Sequence, residues 1–350
     1  MQDLATPTTS SPPGRRLGIS LPRQPLARHL LCAVVAGALL FLLSDNVSQF
    51  TDFQLSRIGY YAIALAGLTV LTGLNGQLSL GHGALIAVGG YTTALLMKDT
   101  TFPVLVDMVV AIAATALAGA VIGVAAARLR GPYLAGATLA LAVALPNLAT
   151  KYSSVFGGDQ GLTINPLTPP ASLGANFTPF RWMAWLSILA ALITLVLLAN
   201  LVSSRFGREW KAVRDDEIAA RLAGIHVART QIAAFVVSAA CAGLAGFFFA
   251  LTVQLVSPTE FTLLLSLTLL TGIVVGGLGS LVGAVWGAIL IVYLGQWTTD
   301  LAKDVHLSGT IGSNLSLAVY GVVLIVAMLV FPRGIQGGIQ RLLTFLRRRL

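Results

Sequence analysis

The sequence predicts an all-α integral membrane protein with about ten transmembrane or partly re-entrant helices. Of its 350 residues, 56% are hydrophobic and only 10% are charged, and the mean hydropathy is +0.85. A soluble domain carries about 25% charged residues, so the surplus apolar surface must face lipid. The apolar runs are continuous, without the alternation of a barrel strand. Helices are therefore the predicted spanning elements, because within lipid the backbone must be satisfied internally.

The candidate spans follow one another along most of the chain. A run of about 18 or more apolar residues is typical of a helix that crosses a bilayer. The predicted spans are Leu30–Leu43, Ile58–Leu74, Leu78–Met97, Val104–Ala127, Tyr133–Leu148, Met183–Val202, Ile232–Leu255, Phe261–Gly276, Leu281–Leu294 and Leu315–Phe331. Glycines within 58–97 and 261–294 are also typical of broken or re-entrant segments, which leaves the number of crossings approximate.

The distribution of basic residues predicts the orientation. With the N-terminus inside, most of the 22 Lys and Arg residues fall in inward segments, as the positive-inside rule requires. The outward segments hold only Arg57, Lys98, Lys151, Arg181 and Lys303. Both termini are therefore predicted to be cytoplasmic, with a periplasmic loop at 150–181 and a cytoplasmic loop at 203–230. Residues 1–29 are predicted to be a disordered tail, 30–331 the transmembrane domain and 332–350 a basic tail.

Several other classes of function are disfavoured. The net charge of +9 does not indicate nucleic-acid binding, because the basic residues lie in short connectors and tails. Cys32 and Cys241 lie in separate apolar runs, so neither a disulfide framework nor a thiolate metal site is predicted. A membrane enzyme would need clustered acid–base or metal-binding residues. The four histidines lie on scattered segments, so no catalytic or metal-binding residue is assigned.

The second half of the loop 203–230 has the marks of a short helix of about eight residues. Asp215 is expected to cap its start, and Asp216 and Glu217 add negative charge where the helix dipole is positive. Glu217 is spaced i,i+4 from Arg221, and Gly224 is expected to end the helix in the left-handed conformation. Such a helix could enter a groove on another protein. Its charge alone is also typical of a solvated basic connector.

At this loop the sequence resembles the permease subunits of branched-chain amino acid ABC transporters of the LivM type. The stretch from Phe206 to Ala250 is similar to the coupling-loop region and the following helix of that family. Further similar stretches occur in the same order, between residues 59 and 294. They are Gly76–Ala84 (GQLSLGHGA), the glycine-rich loop Gly157–Leu162, Ser257–Leu270 and the turn Gly276–Ser280 (GGLGS).

The resemblance implies an ABC importer permease fold in a bacterial inner membrane, and a division of labour between subunits. The expected partners are a second related permease, two cytosolic ATP-binding subunits, a periplasmic substrate-binding protein and membrane lipid. The chain contains no G-x-x-x-x-G-K-[ST] loop to hold nucleotide. No cofactor is therefore expected on this chain, and ATP and Mg²⁺ are expected on the partners. Branched-chain amino acids are the expected cargo, with urea or another small solute as alternatives.

The resemblance also assigns site residues. An EAA-type motif that couples the permease to the ATPase is matched by part of the loop, although Ile218 interrupts the strict Glu-Ala-Ala order. The coupling residues are Arg214, Asp215, Asp216, Glu217, Ala219, Ala220 and Gly224. A translocation path is expected along Gly76, Gln77, Ser79, Gly81, His82, Gly83, Gly276, Gly277 and Gly279, with Gln77, Ser79 and His82 as partners for a zwitterion. Ordinary small-residue helix packing is the alternative for these glycines.

An ion-coupled secondary transporter of small polar solutes is the main alternative function. Such carriers place ionisable residues within the membrane. The predicted spans of this chain contain almost no ionisable residues. Asp107 and Glu260 fall near outer ends, and His82 is the only titratable residue on a glycine-rich segment.

Overall fold

A computed structural model describes residues 48–99, 102–129, 132–173 and 177–304. It also describes residues 37, 318–319, 321–322, 325–326, 334–339 and 341. The predicted N-terminal tail lies outside these residues, and the predicted spans 30–43 and 315–331 lie almost entirely outside them. Within the predicted C-terminal tail, residues 334–339 are helical.

Helices account for most of the described chain. They are α1 (Gln49–Leu68, continued by π-helical Thr69–Leu74), α2 (His82–Asp99), α3 (Val104–Ala126), α4 (Pro132–Lys151), α5 (Ser153–Phe156), α6 (Pro179–Ser203), α7 (Arg205–Asp215), α8 (Glu217–Leu222), α9 (Val227–Val253), α10 (Leu263–Gly276) and α11 (Leu281–Asp304). Two short strands, β1 (Leu162–Thr163) and β2 (Leu255–Val256), pair antiparallel. Short 3₁₀ turns occur at Gly158–Gln160, Ala171–Leu173 and Pro258–Phe261.

The helices confirm the predicted all-α membrane fold. Among the described residues, 6 helices are long and apolar enough to cross a membrane, namely α1 with its π-helical end, α3, α4, α6, α9 and α11. α10 is apolar but has only 14 residues. The predicted span Leu78–Met97 is wrong at its start, because residues 75–81 are not helical and α2 begins at His82.

Two helices form the centre of the molecule. In the most apolar stretch of each helix, 83% of the residues are buried in α1 and 67% in α9, against 22% in each of α3, α4 and α6. α1 packs on α6, α9 and α11, and α9 also packs on α2 and α3. The peripheral helices therefore present most of the lipid-facing surface of the described chain, and movements of α1 or α9 would affect all their neighbours.

The central packing depends on glycine. A Cβ atom on Gly89 of α2 would lie 2.6 Å from the Gly243 carbonyl oxygen of α9, and one on Gly246 would overlap the Ile86 carbonyl oxygen. The backbones of α2 and α9 are therefore in direct contact, as small residues allow between membrane helices.

The connections between helices gather at two opposite ends. The break at 75–81, the loop 203–230 and the turn 277–280 meet at what we call the inner end. Arg214 Nη1 donates to the Gly73 carbonyl there at 2.9 Å, and a Cβ on Gly73 would lie 2.5 Å from the Gly279 nitrogen. The β1–β2 pair and the 3₁₀ turns Gly158–Gln160 and Pro258–Phe261 lie together at the outer end. This grouping agrees with the predicted alternation of sides, whereas the cytoplasmic location of the inner end stays a prediction.

Candidate functional site: the inner loop and an adjoining cavity

The inner loop, residues 203–230, is a folded unit with a small apolar core of its own. Val213, Ala220 and Val227 are buried together, with Ala212 and Ile225 packed against them. The indole Nε1 of buried Trp210 donates to the Thr230 carbonyl at 3.1 Å and joins α7 to the start of α9. A solvated connector would have no such core, so that interpretation does not describe this loop.

The α8 helix begins one residue later than predicted. Asp216, with extended backbone, is the N-cap, and its Oδ1 accepts from the amides of Ile218 at 2.8 Å and Ala219 at 3.0 Å. The prediction that Asp215 is the cap was wrong, because Asp215 ends α7 and its carboxylate accepts from Arg214. The helix has 6 residues instead of about eight.

The other expectations for α8 have different outcomes. Gly224 has φ +84°, which confirms the left-handed ending. Glu217 accepts from Gln231 Nε2 at 3.0 Å, and the structure shows no ion pair between Glu217 and Arg221 among the described residues. Glu217 therefore ties α8 to α9 instead of stabilising α8 internally.

Two aliphatic side chains project from the surface of α8. Ile218 is 72% exposed and Leu222 is 85% exposed, and their i,i+4 spacing puts them on one face. Ala219 is exposed, but Ala220 points into the core of the loop. Ala220 is therefore not on the exposed side of α8, and its predicted part in coupling stays a prediction. This pair of aliphatic residues, four apart in a charged segment, was visible in the sequence and forms an exposed apolar surface on α8.

The Asp216 cap provides a local test of this geometry. We expect Asp216→Ala to lower the opening free energy of α8 by about 1 kcal/mol, because two amides lose their acceptor. Amide hydrogen exchange of residues 217–222 should speed up roughly fivefold, measured by mass spectrometry. Asp216→Asn keeps a capping oxygen and is the matched control, with exchange close to that of the unaltered chain. Equal acceleration in both variants would contradict the assignment of the cap.

Arg214 connects the inner loop to the central helix α1. Its Nη1 donates to the Gly73 carbonyl at 2.9 Å, and its Nε and Nη2 donate to Asp215 Oδ1 at 2.9 and 2.8 Å. Gly73 lies in the π-helical end of α1, where carbonyls lack regular intrahelical partners. Gly76 has φ +75°, and a Cβ there would lie 2.8 Å from Arg214 Cγ. The glycine is therefore required both by its conformation and by the approach of Arg214.

The predicted path residues near 276–280 form a tight turn against the end of α1. Gly277 has φ +127° and Gly279 has φ +80°. A Cβ on Gly276 would overlap the Gly283 carbonyl oxygen of α11. Backbone packing at a turn is therefore what these glycines do in this conformation, and a place on the path stays a prediction.

Four other predicted path residues are buried between helices. His82 Nε2 donates to the Ala64 carbonyl at 3.1 Å, because a carbonyl can only accept. The Gly83 amide donates to Ser266 Oγ at 3.0 Å, and a Cβ on Gly81 would lie 2.7 Å from the Thr138 carbonyl oxygen. Ser79 is also buried. Small-residue packing describes this group in the present conformation.

A cavity of about 510 Å³ at the inner end brings the two predicted groups together. Its lining residues are Asn75, Gly76, Gln77, Leu78, Leu129, Leu134, Ala135, Val213, Arg214, Asp215, Asp216, Glu217 and Gln231. Gly76 and Gln77 come from the predicted path, and residues 214–217 from the predicted coupling loop. Asn75 and Gln231 were missed, because their proximity depends on a fold that joins distant segments.

Comparison with known proteins identifies the family. Residues 50–328 match the family described as branched-chain amino acid transport system / permease component. The chain belongs to this permease family. The high-affinity branched-chain amino acid transport system permease protein LivM of Escherichia coli is 31% identical over 298 residues, which are 79% of this chain and 67% of LivM. No solved structure matches significantly.

More distant relatives show how widely this kind of permease is used. The permease protein LivH of Salmonella typhimurium is 25% identical over 293 residues, 79% of this permease and 91% of LivH. The fructose import permease protein FruG of Bifidobacterium longum is 25% identical over 324 residues, 85% of this permease and 90% of FruG. The predicted LivM-type resemblance is confirmed. The permease is a multi-pass membrane subunit without catalytic function of its own.

Proposed function

We propose that this permease is the membrane-spanning subunit of an ATP-driven importer that carries branched-chain amino acids, or a related small solute, across the bacterial inner membrane. The names of its LivM and LivH relatives support the cargo. The observation that carries the coupling role is the bond from Arg214 to the Gly73 carbonyl. It joins a loop with an exposed apolar surface to α1, the most buried of the candidate spanning helices among the described residues.

The proposed division of labour is supported by membership of the permease family. The partners are a second related permease, two cytosolic ATP-binding subunits that hold ATP and Mg²⁺, and a periplasmic substrate-binding protein. Ile218 and Leu222 are the contacts we assign to an ATP-binding subunit, because exposed aliphatic residues gain most when a partner covers them. The coupling residues 214–217, Ala219, Ala220 and Gly224 shape and anchor the helix that presents this pair.

The mechanism is alternating access driven by closure of the ATP-binding subunits. Their closure displaces the inner loop as one body, since its core and the bond from Trp210 to Thr230 hold α7 and α8 together. Arg214 passes the displacement to α1, and Glu217 passes it to α9 through Gln231. Because α1 and α9 contact most other helices, a shift of both changes which side of the permease is open.

Reconstitution tests the proposed function. The permease, its partner subunits and the substrate-binding protein are assembled in proteoliposomes loaded with ATP. Uptake of leucine, isoleucine and valine should depend on ATP and on the binding protein, and fructose and urea are the comparison solutes. Uptake driven by an ion gradient without ATP would contradict the proposal and favour a secondary transporter.

Docking of the ATP-binding subunits can be tested at the aliphatic pair. We expect the double change Ile218→Ser and Leu222→Ser to reduce copurification of the ATP-binding subunits at least about tenfold, because burial of two aliphatic side chains contributes about 1.5–3 kcal/mol each. Val155→Ser, at an exposed apolar residue of the outer end, is the control and should leave copurification unchanged. Normal copurification of the double variant would place the docking surface elsewhere.

The proposed orientation is tested by labelling from each side. Ser203 and Gln160 are both exposed, at the inner and outer ends respectively. Single cysteines introduced there into a chain without Cys32 and Cys241 should react with a membrane-impermeant reagent from opposite sides, Gln160→Cys from the periplasm. Labelling of both from the same side would refute the proposed topology.

A further inference from the structure

We propose that the inner cavity binds a free apolar α-amino acid from the cytosolic side, and that an occupied cavity slows transport. This inference rests on the proposed function, because it assumes that the inner end faces the cytosol and that the inner loop moves during transport. It assigns the cavity to a regulatory ligand and not to cargo in transit.

The cavity has two chemically different walls. Asn75, Gln77, residues 214–217 and Gln231 form a polar wall, and Leu78, Leu129, Leu134, Ala135 and Val213 form an apolar wall. Its volume of about 510 Å³ lies within the range of about 300–1,000 Å³ found for small-molecule sites. An apolar amino acid has the same division, with an aliphatic side chain for one wall and a zwitterionic end for the other.

Unpartnered amide atoms on the polar wall point to a ligand with both donors and acceptors. Asn75 is 2% exposed, and neither its Oδ1 nor its Nδ2 has a hydrogen-bond partner in the described part of the chain. Gln77, 5% exposed, leaves its Oε1 unpartnered within the same residues. A buried polar atom without a hydrogen-bond partner is destabilising, and a ligand that satisfies it removes this cost. An ammonium group can donate to the two oxygens, and a carboxylate can accept from Asn75 Nδ2.

The charged residues of the cavity are already engaged within the protein. Asp216 caps α8, Glu217 accepts from Gln231, and Arg214 donates to Gly73 and Asp215. Arg214 and the three carboxylates Asp215, Asp216 and Glu217 stand along the polar wall, so the wall as a whole is negative and attracts the ammonium end of an amino acid. Asn75 and Gln77 supply the unused hydrogen-bonding capacity, and the apolar wall disfavours a side chain that carries a charge of its own.

Occupation of the cavity would resist the movement that transport requires. The polar wall belongs partly to the inner loop, whereas Asn75 and Gln77 follow α1 and the apolar wall includes α4. A ligand that contacts all of these stabilises their present separation in proportion to its occupancy. A conformational change that separates them must first release the ligand. Accumulated amino acid in the cytosol would therefore reduce further import.

Uptake against a loaded interior tests the inference. Proteoliposomes containing the complete transporter are loaded with ATP and a series of unlabelled leucine concentrations, and initial uptake of labelled leucine is measured. We expect internal leucine to slow uptake several-fold, and internal glutamate or lysine to have little effect. Uptake that is independent of internal leucine would overturn the inference while leaving the proposed function intact. Absence of any ATP-driven uptake would instead count against the proposed function.

A pair of matched variants assigns the effect to the cavity. Ala135→Trp takes the space of the leucine side chain from α4 but makes no bond to the polar wall, so it should remove inhibition by internal leucine without reducing uptake into leucine-free vesicles. Ala137→Trp, the same change on the exposed side of α4, should keep the inhibition. Retained inhibition in Ala135→Trp would overturn the inference. Loss of uptake in Ala135→Trp with normal subunit assembly would also overturn it, because the cavity would then lie on the transport route.

A third variant covers the case in which Ala135→Trp does not assemble. Asn75→Leu removes both unpartnered amide atoms with little change in volume. We expect the internal leucine concentration that gives half-maximal inhibition to rise at least about tenfold, since a pair of hydrogen bonds to charged groups is lost. An unchanged concentration would exclude Asn75 as a ligand-binding residue and contradict the inference.

Discussion

Arg214→Ala is expected to uncouple ATP hydrolysis from transport while leaving the permease assembled. The change removes the hydrogen bond to the Gly73 carbonyl and with it the direct link from the inner loop to α1. A hydrogen bond from a charged donor contributes about 1.5–3 kcal/mol, so the coupled state should become about 10- to 100-fold less populated. The quantity to measure is solute imported per ATP hydrolysed in proteoliposomes, which should fall by about tenfold or more. Arg214→Lys should recover only part of it, since an ammonium lacks the planar fork.

The matched control for this prediction is Arg205→Ala. Arg205 pairs with Glu209 at 2.7 Å in the same loop, but its side chain is 84% exposed, and exposed ion pairs contribute little to stability. Loss of a positive charge from the inner loop is therefore common to both variants, whereas loss of the bond to α1 occurs only in Arg214→Ala. If both variants import normally, coupling does not pass through Arg214.

Gly246→Ala is expected to destabilise the folded permease by forcing two central helices apart. Its Cβ would overlap the Ile86 carbonyl oxygen and lie 2.7 Å from the Gly90 nitrogen. Both are backbone atoms, so α2 and α9 would have to separate. Overpacking of this kind costs about 1–3 kcal/mol, more than the roughly 1 kcal/mol that alanine gains over glycine in a helix. The midpoint of thermal unfolding in detergent should fall, and folded protein should be recovered in lower yield.

Gly136→Ala makes the same change where there is room. Nothing lies within 4 Å of a Cβ on Gly136, which lies in the interior of α4. Because alanine has a higher helix propensity than glycine, the midpoint of thermal unfolding of Gly136→Ala should be unchanged or slightly raised. The sign of the difference between the two variants is therefore the critical result. A midpoint for Gly246→Ala at or above that of Gly136→Ala would show that α2 and α9 are not packed backbone against backbone.

Hydropathy predicted the spanning helices well but not where they begin and end. α1 begins at Gln49 instead of Ile58, because Ser48 caps it and Asp52 lies in its first turn, a polar start that a search for apolar runs rejects. α11 continues to Asp304 beyond the predicted Leu294, and Gln296 donates to Asp300 one turn later. Arg57, which was assigned to an outward connector, consequently lies within α1.

The candidate site could be predicted only in part, because its local features are visible in the sequence but its long-range contacts are not. Local signals identified the inner loop and the left-handed Gly224, but two adjacent aspartates were equally able to cap α8, and only the backbone at Asp216 decides between them. The apolar residues Leu78 and Leu80 led to the prediction that residues 78–81 belong to a helix. The positive φ of Gly76 instead ends the preceding helix just before them. The contact between Arg214 and Gly73 joins residues 141 positions apart, and no local pattern in one sequence reports it.

The pairing of β1 with β2 at the outer end means that α9 is attached to a folded loop at each of its ends. Leu255 and Val256 follow α9 almost directly, and their ladder with Leu162 and Thr163 fastens the glycine-rich outer loop to it. At its other end α9 is bonded to Trp210 and Glu217 of the inner loop. A helix of 27 residues is about 40 Å long and resists compression. Under the proposed function, α9 would transmit a displacement of the outer loop, where the substrate-binding protein docks, to the inner loop, where the ATP-binding subunits dock.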